Sequence, residues 1–452
     1  MTHYDLLIRN GTAVTPAGPL AADLAVADGQ IVALAPELAG SATEELDACG
    51  LHLLPGLIDA HVHFNEPGRA DWEGWATGAA ALAAGGGTLA FEMPLNASPP
   101  TLDGPSFDLK RQAAEAQSCV DFALWGGLVP GDRDRLDELA ARGVIGFKAF
   151  LSQSGTADFP AADDLTLVEG MARAARLGRI VAVHAESDAL TSALTRRAVA
   201  AGRLGVRDYL ASRPVLAELE AVQRAILFAA ETGCRLHLVH LSSGRAVALA
   251  VEARARGVDV SCETCPHYLV FTEEDVERIG AAAKCAPPIR SGAEQAQLWA
   301  HLAAGAIDIV ASDHSPAPAS MKGPTPTGFF GIWGGIAGVQ STLALLLSEG
   351  YHGRGLDLGR IVAVTAGRVA ERFGLAGRKG VLLPGADADI AIVDLGARWE
   401  LRRDDLRDRH RLSPYVGRSL RGRVVRTIRR GQTIAREGEP VPGAGGRLIT
   451  PL

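Results

Sequence analysis

The sequence predicts a (β/α)8 barrel joined to a small β-sandwich domain built from both ends of the chain. Three observations lead there. Short β-branched or apolar runs alternate with Ala-, Leu-, Glu- and Arg-rich stretches through the middle of the chain, as repeated βα units do. Eight such runs can be counted, the number that closes a parallel barrel. On either side of them stand short apolar segments broken by glycine, which read as antiparallel strands and hairpins.

Taken in order, the first 50 residues supply the segments from Asp5 to Gly11 and from Asp23 to Leu34. The eight central runs then end near His63, Pro94, Trp125, Lys148, His184, His240, Glu263 and Asp313. Strand-like segments return from Asp389 to Asp394 and from Gly422 to Gly431. The expected division is 1–52 for the first part of the β domain, 53–376 for the barrel, and 377–452 for the rest of the β domain with a loose tail. Polar and titratable residues collect at the carboxyl end of each central run, where barrel enzymes keep their chemistry.

Composition narrows the partners. The 452 residues are 47% hydrophobic and 21% charged, inside the globular range, which excludes disordered, collagenous and coiled-coil classes. A net charge of −7 without a basic stripe argues against nucleic acid. The opening Met1-Thr2-His3-Tyr4-Asp5 lacks the basic and apolar regions of a signal peptide, and no uncharged stretch is apolar for long enough to span a membrane, so a cytoplasmic protein is expected. Six cysteines are too sparse for a disulfide framework. The lone pair Cys262 and Cys265 reads as buried strand-end residues rather than half of a zinc ribbon.

Residues i and i+2 of a strand point to one side, so His61 and His63 can share one metal ion. His184, His240 and Asp313 close three further runs, and together these residues can converge on one barrel mouth. Any one of them alone reads as an ordinary strand-end or capping residue; their company at the same end points to metal. His237, an odd number of residues before His240, is expected to face the helices as a structural residue. Lys148 ends the fourth run among apolar neighbours, where an unpaired ammonium is costly. The chain uses only five lysines against forty arginines, so this position asks for what Arg cannot do. Lysine can lose its proton and react with carbon dioxide, and the resulting carbamate has two anionic oxygens that can bridge two divalent ions.

At this point the chain resembles the amidohydrolase superfamily, and within it the cyclic amidohydrolases: dihydroorotases, dihydropyrimidinases (hydantoinases) and allantoinases. The segments that carry the likeness are 55–63 (PGLIDAHVH), 146–150 (GFKAF), 183–186 (VHAE), 239–242 (VHLS), 263–269 (ETCPHYL) and 312–316 (SDHSP), which span most of the chain. The resemblance implies a binuclear centre, usually zinc. His61 and His63 would serve one ion, His184 and His240 the other, carboxylated Lys148 would bridge, and Asp313 would bind the first ion and carry protons. It also implies a companion sandwich domain and a homotetramer.

The branch is read from smaller differences. Dihydroorotases carry Arg two residues beyond the second His, where it can grip a substrate carboxylate; here stands Asn65, whose neutral donors and acceptor suit a ureido group. Dihydropyrimidinases carry Tyr five residues after the bridging Lys, and here stands Gln153. Segments 93–96 (MPLN) with Pro99-Pro100, 284–290 (KCAPPIR) and 333–336 (WGGI) resemble allantoinases. The implied reaction is hydrolysis of a cyclic amide or ureide, allantoin to allantoate, by a hydroxide held between the ions, with Asp313 passing its proton to the departing ring nitrogen. Asn65, Asn96, Ala286, Ser315 and Gly334 are the expected substrate contacts. Hydantoinase or dihydropyrimidinase is the first alternative and dihydroorotase the second; an inactive scaffold relative would lack several of the strand-end residues. The loop Gly328-Phe329-Phe330-Gly331 matches none of the branches.

Overall fold

The computed structural model describes residues 2–131, 133–443 and 445–451. Eight parallel strands form one sheet in chain order: β1 (Leu57–Val62), β2 (Gly87–Glu92), β3 (Asp121–Gly127), β4 (Gly146–Phe150), β5 (Ile180–His184), β6 (Leu236–Leu238), β7 (Val260–Thr264) and β8 (Ile309–Val310). A parallel bridge from Val62 to His314 draws β1 towards the chain leaving β8, so the sheet nearly closes into a barrel. Each predicted run is one of these strands.

Alternation along each strand decides what faces where. Val181, Val183, Leu236, Leu238, Val260 and Cys262 face outward and join the core shared with the helices. Ile58, Ala60, Phe91, Trp125, Ile180, Ala182 and Ile309 form a separate apolar cluster inside the barrel. The helices dock by the same logic. In the helix Asp164–Arg176, the Asp163 side chain caps the N-terminus by accepting from the Thr166 N–H at 2.7 Å. Leu167, Met171 and Ala174, spaced at helical period, then bury one face. All six cysteines are free, with Cys262 and Cys265 fully buried.

The terminal segments make one nine-stranded sheet. Strands His3–Thr15, Gly18–Ala27, Gln30–Ala35, Ser41–Asp47 and His52–Pro55 come from the first end, and Ile390–Glu400, Ser419–Arg429, Gln432–Arg436 and Glu439–Pro440 from the other. Strand His52–Pro55 joins the halves, pairing with both His3–Thr15 and Ile390–Glu400. The sheet departs from the purely antiparallel pattern expected. His3–Thr15 pairs in parallel with Ser41–Asp47 through its first half and with His52–Pro55 through its second. A register shift between Ile8 and Gly11 breaks this long strand, so its two halves meet different neighbours.

Two other expectations are corrected. The end of the chain is not a loose tail: the Ile449 N–H donates to the Phe122 carbonyl at 2.8 Å, and its side chain joins Trp125, Ile145 and Phe373 in the apolar cluster inside the barrel. Leu448 beside it packs against the core shared with the helices, so two adjacent apolar residues anchor this end. His237 faces the barrel interior, not the helices. It lies in register with Ala182 and Ser261 and touches the ring of Phe373. The odd spacing to His240 misleads because β6 stops at Leu238 and His240 adopts a left-handed conformation, φ 41°, which resets the alternation. No helix among the described residues is long and apolar enough to cross a membrane.

Candidate metal centre

The strand ends set the site. His61 is the penultimate residue of β1 and His63 follows its last residue. Asp59, on the same strand, accepts from the N–H groups of His61 and Ser312, both at 3.2 Å, and so ties β1 to the chain that carries Asp313. Burial pushes the Asp59 carboxyl up to about 7. The turn after His63 hangs on Glu92 at the end of β2, which accepts from the Phe64 and Asn65 N–H groups at 2.7 and 3.2 Å. Asn65, His240 and Asp313 all have positive φ (67°, 41° and 45°), a region that costs a non-glycine residue energy and recurs where geometry serves a site.

Asp313 reaches the Nε2 atoms of His61 and His63 at 3.2 and 3.4 Å, and one ligand atom from each of the three residues can lie around a common point. The remaining ring nitrogens are spoken for. His61 Nδ1 donates to Glu263 at 2.9 Å and His63 Nδ1 to the Leu95 carbonyl at 3.1 Å, since a carboxylate and a carbonyl can only accept. Both imidazoles therefore present a bare Nε2 towards Asp313. On the other side, His184 Nδ1 lies 3.0 Å from His240 Nε2, while His184 Nε2 donates to Glu186 at 2.9 Å. Burial holds His61, His184 and His240 below the ordinary histidine range, which keeps them neutral and able to donate lone pairs. Burial also opposes ionisation of Asp313, but in the state where the neighbouring His61 and His63 rings carry protons their attraction outweighs it and lowers the carboxyl below its usual range.

Lys148 lies among these rings, fully buried, and its Nζ has no hydrogen-bond partner. Burial pushes its ammonium down to about 7 even though Glu263 and Asp313 favour the charge. An amine so poised is neutral for much of the time near pH 7. An orphaned amine, neutral imidazoles with bare nitrogens facing one another, and an ionised carboxylate form a donor set that fits divalent metal ions.

Beside this cluster the loops after β4, β5, β7 and β8 enclose a cavity of about 480 Å³, lined by Gln153, Arg213, Lys284, Ala286, Trp333 and Gly334 among others. Two lysines brace the loop that sequence matching could not place. Lys284 donates to the Phe330 and Ile332 carbonyls, and Lys322 to those of Trp333 and Gly335. Gly335 packs so closely that a Cβ there would lie 2.1 Å from the Ser315 carbonyl oxygen.

The structure thus brings His61, His63, Lys148, His184, His240 and Asp313 into one cluster. Of the expected substrate contacts, Ala286 and Gly334 line the cavity. Asn65, Asn96 and Ser315 are buried and lie outside its wall, although both amide atoms of Asn65 lack a partner. Sequence reading gave no role to Glu263, Glu186 or Glu92. The signal was there: each is a carboxylate in or just after a strand, Glu263 facing the barrel interior and Glu92 the outer side against Lys110, where an unpaired charge has no reason to be buried.

The chain is similar to known proteins along its whole length. The sequence pattern of the Amidohydrolase family matches residues 52–434. A protein named allantoinase from Rubrobacter xylanophilus is 60% identical over 100% of this chain and 98% of its own length. Another of that name, from Solibacter usitatus, is 56% identical over 99% and 97%. Among solved structures, the L-hydantoinase (dihydropyrimidinase) of Arthrobacter aurescens superposes with a TM-score of 0.96 at 35% identity, covering 99% of this chain and 100% of that one.

Proposed function

The chain belongs to the amidohydrolase family, and from that premise we infer that it is a cyclic amidohydrolase that opens the ring of allantoin to give allantoate. Identity of 60% along the whole chain to a protein named allantoinase carries the choice of substrate. The orphaned Lys148 amine amid four imidazoles and Asp313 supports the chemistry.

His61, His63 and Asp313 would hold one divalent ion, and His184 and His240 a second. Lys148, converted to a carbamate by carbon dioxide, would offer an anionic oxygen to each. Zinc is the proposed metal. Such ions, when bound, polarise the amide carbonyl and supply a nucleophile from water near neutral pH. The protein's own residues do the rest. Asp313, held ionised, takes a proton from the attacking water on its carboxylate and delivers it to the departing ring nitrogen. Asn65 offers a buried amide whose donor and acceptor are both free, which matches a ureido N–H and C=O. Asn96, Ser315, Gly334 and the backbone at Ala286 complete the proposed contacts, while Lys284 and Lys322 pin the loop that walls the substrate from water. A homotetramer and a cytoplasmic location are proposed on the family resemblance and composition; light scattering tests the first.

Hydantoinase activity is the second reading, supported by the close superposition at 35% identity. Ring opening of allantoin, hydantoin, dihydrouracil and dihydroorotate, measured in parallel, tests the assignment. Allantoin is expected to give the highest kcat/KM, and a preference for any of the others overturns it.

A further inference from the structure

Glu263 sits on β7, fully buried, with each carboxylate oxygen engaged. Oε1 accepts from His61 Nδ1 at 2.9 Å and from the backbone N–H of His240 at 3.1 Å. Oε2 accepts from His237 Nε2 at 3.3 Å, and the other nitrogen of that ring is 2.8 Å from Ser261 Oγ. One carboxylate oxygen therefore touches both halves of the cluster. It fixes the His61 tautomer that leaves Nε2 bare towards Asp313, and it holds the peptide of His240 in the left-handed turn that aims its ring at His184.

We propose that Glu263, locked by His237 and Ser261, is a positioning residue that sets both metal positions at once. The inference rests on the two-ion reading above. Its consequence is a linkage: damage at Glu263 weakens the binding of both ions together, although it is a ligand of neither. A Gln side chain retains an oxygen where Oε1 lies, and its amide can face His237 in the other tautomer, so Glu263→Gln keeps the geometry. Glu263→Leu keeps the bulk and removes every acceptor.

Competition of the purified holoprotein against a zinc chelator, in bicarbonate buffer, reads the two zinc affinities directly. Glu263→Leu is expected to weaken both by about 10- to 100-fold, and Glu263→Gln to restore most of that loss. A folded Glu263→Leu protein that holds both ions as tightly as wild type, or loses only one, overturns the proposal. So does a Glu263→Gln variant as weak as the Leu variant. Should Glu263→Leu fail to fold, His237→Phe decides: it fills the space beside Phe373 and frees Oε2, and it is expected to weaken both ions several-fold, whereas unchanged affinities overturn the proposal. Wild-type protein that binds no zinc in the same titration would count instead against the two-ion reading.

Discussion

Of the buried lysines, Lys148 towards the barrel mouth and Lys379 beneath its floor live in opposite surroundings. Lys148 has no hydrogen-bond partner, and burial lowers its pKa to about 7. Lys379 also suffers burial, but Asp389, Asp121 and Asp387 lie within 2.6, 2.8 and 2.9 Å and hold it well above the ordinary lysine range. Arg430 adds a second cation against Asp121. Both regions bring together groups that could hold a metal ion. At the floor the chain supplies the cation itself, and the cluster is a clamp between β3 and the terminal sheet. At the mouth the donor atoms face one another, and Lys148 among them is left without a hydrogen-bond partner. A buried charge that is paired builds structure, and one left unpaired is poised for chemistry.

The comparison is broken most directly by activity. Lys148→Ala should cost at least about 1,000-fold in kcat/KM together with bound metal, and short carboxylic acids should restore part of it. Lys379→Ala should leave the kcat of the folded fraction near wild type. Asp313→Ala should lower kcat by about 100- to 10,000-fold while sparing much of the second ion, and retained turnover would remove its proton role.

Stability should run the other way. Lys379→Met leaves the buried Asp389 without its cation, while Asp121 and Asp387 keep Arg430 and Arg378, and should destabilise the protein by about 3–5 kcal/mol in chemical denaturation. The same change at Lys148 removes an unpaired amine, so the metal-free protein should be unaltered or more stable by about 1 kcal/mol. Equal losses at the two sites would erase the distinction.

The smallest expected effect is one of pH. A lysine whose folded pKa is lowered to about 7 is protonated below that pH and neutral above it. Metal uptake by apoprotein in bicarbonate should therefore rise several-fold from pH 6 to pH 8. Because the unfolded chain holds that proton up to the ordinary lysine value of about 10.4, Lys148 also makes the metal-free protein more stable as pH rises through this window. Lys379, raised rather than lowered, contributes fully across the same range.

Much of this was legible in sequence. The eight strands announced themselves by composition, and His61, His63, His184, His240 and Asp313 were readable because metal-type residues recurred where apolar runs ended. What stayed hidden depends on contacts between distant segments. Glu263 meets His61 across 202 positions, and no local pattern pairs them. His237 was turned the wrong way because alternation holds only while a strand lasts. Ile449 looked like part of a tail because the cavity it fills is made by residues over 70 positions upstream and beyond. The Lys379 cluster joins Asp121 to a lysine 258 positions later, so its pairing is visible only in the fold.

Metal stoichiometry with activity is the most direct test of the whole account. Protein purified gently should carry about two divalent ions per chain, lose allantoin hydrolysis on chelation, and regain it when divalent ions and bicarbonate are returned. Full activity in a protein stripped of metal would contradict it.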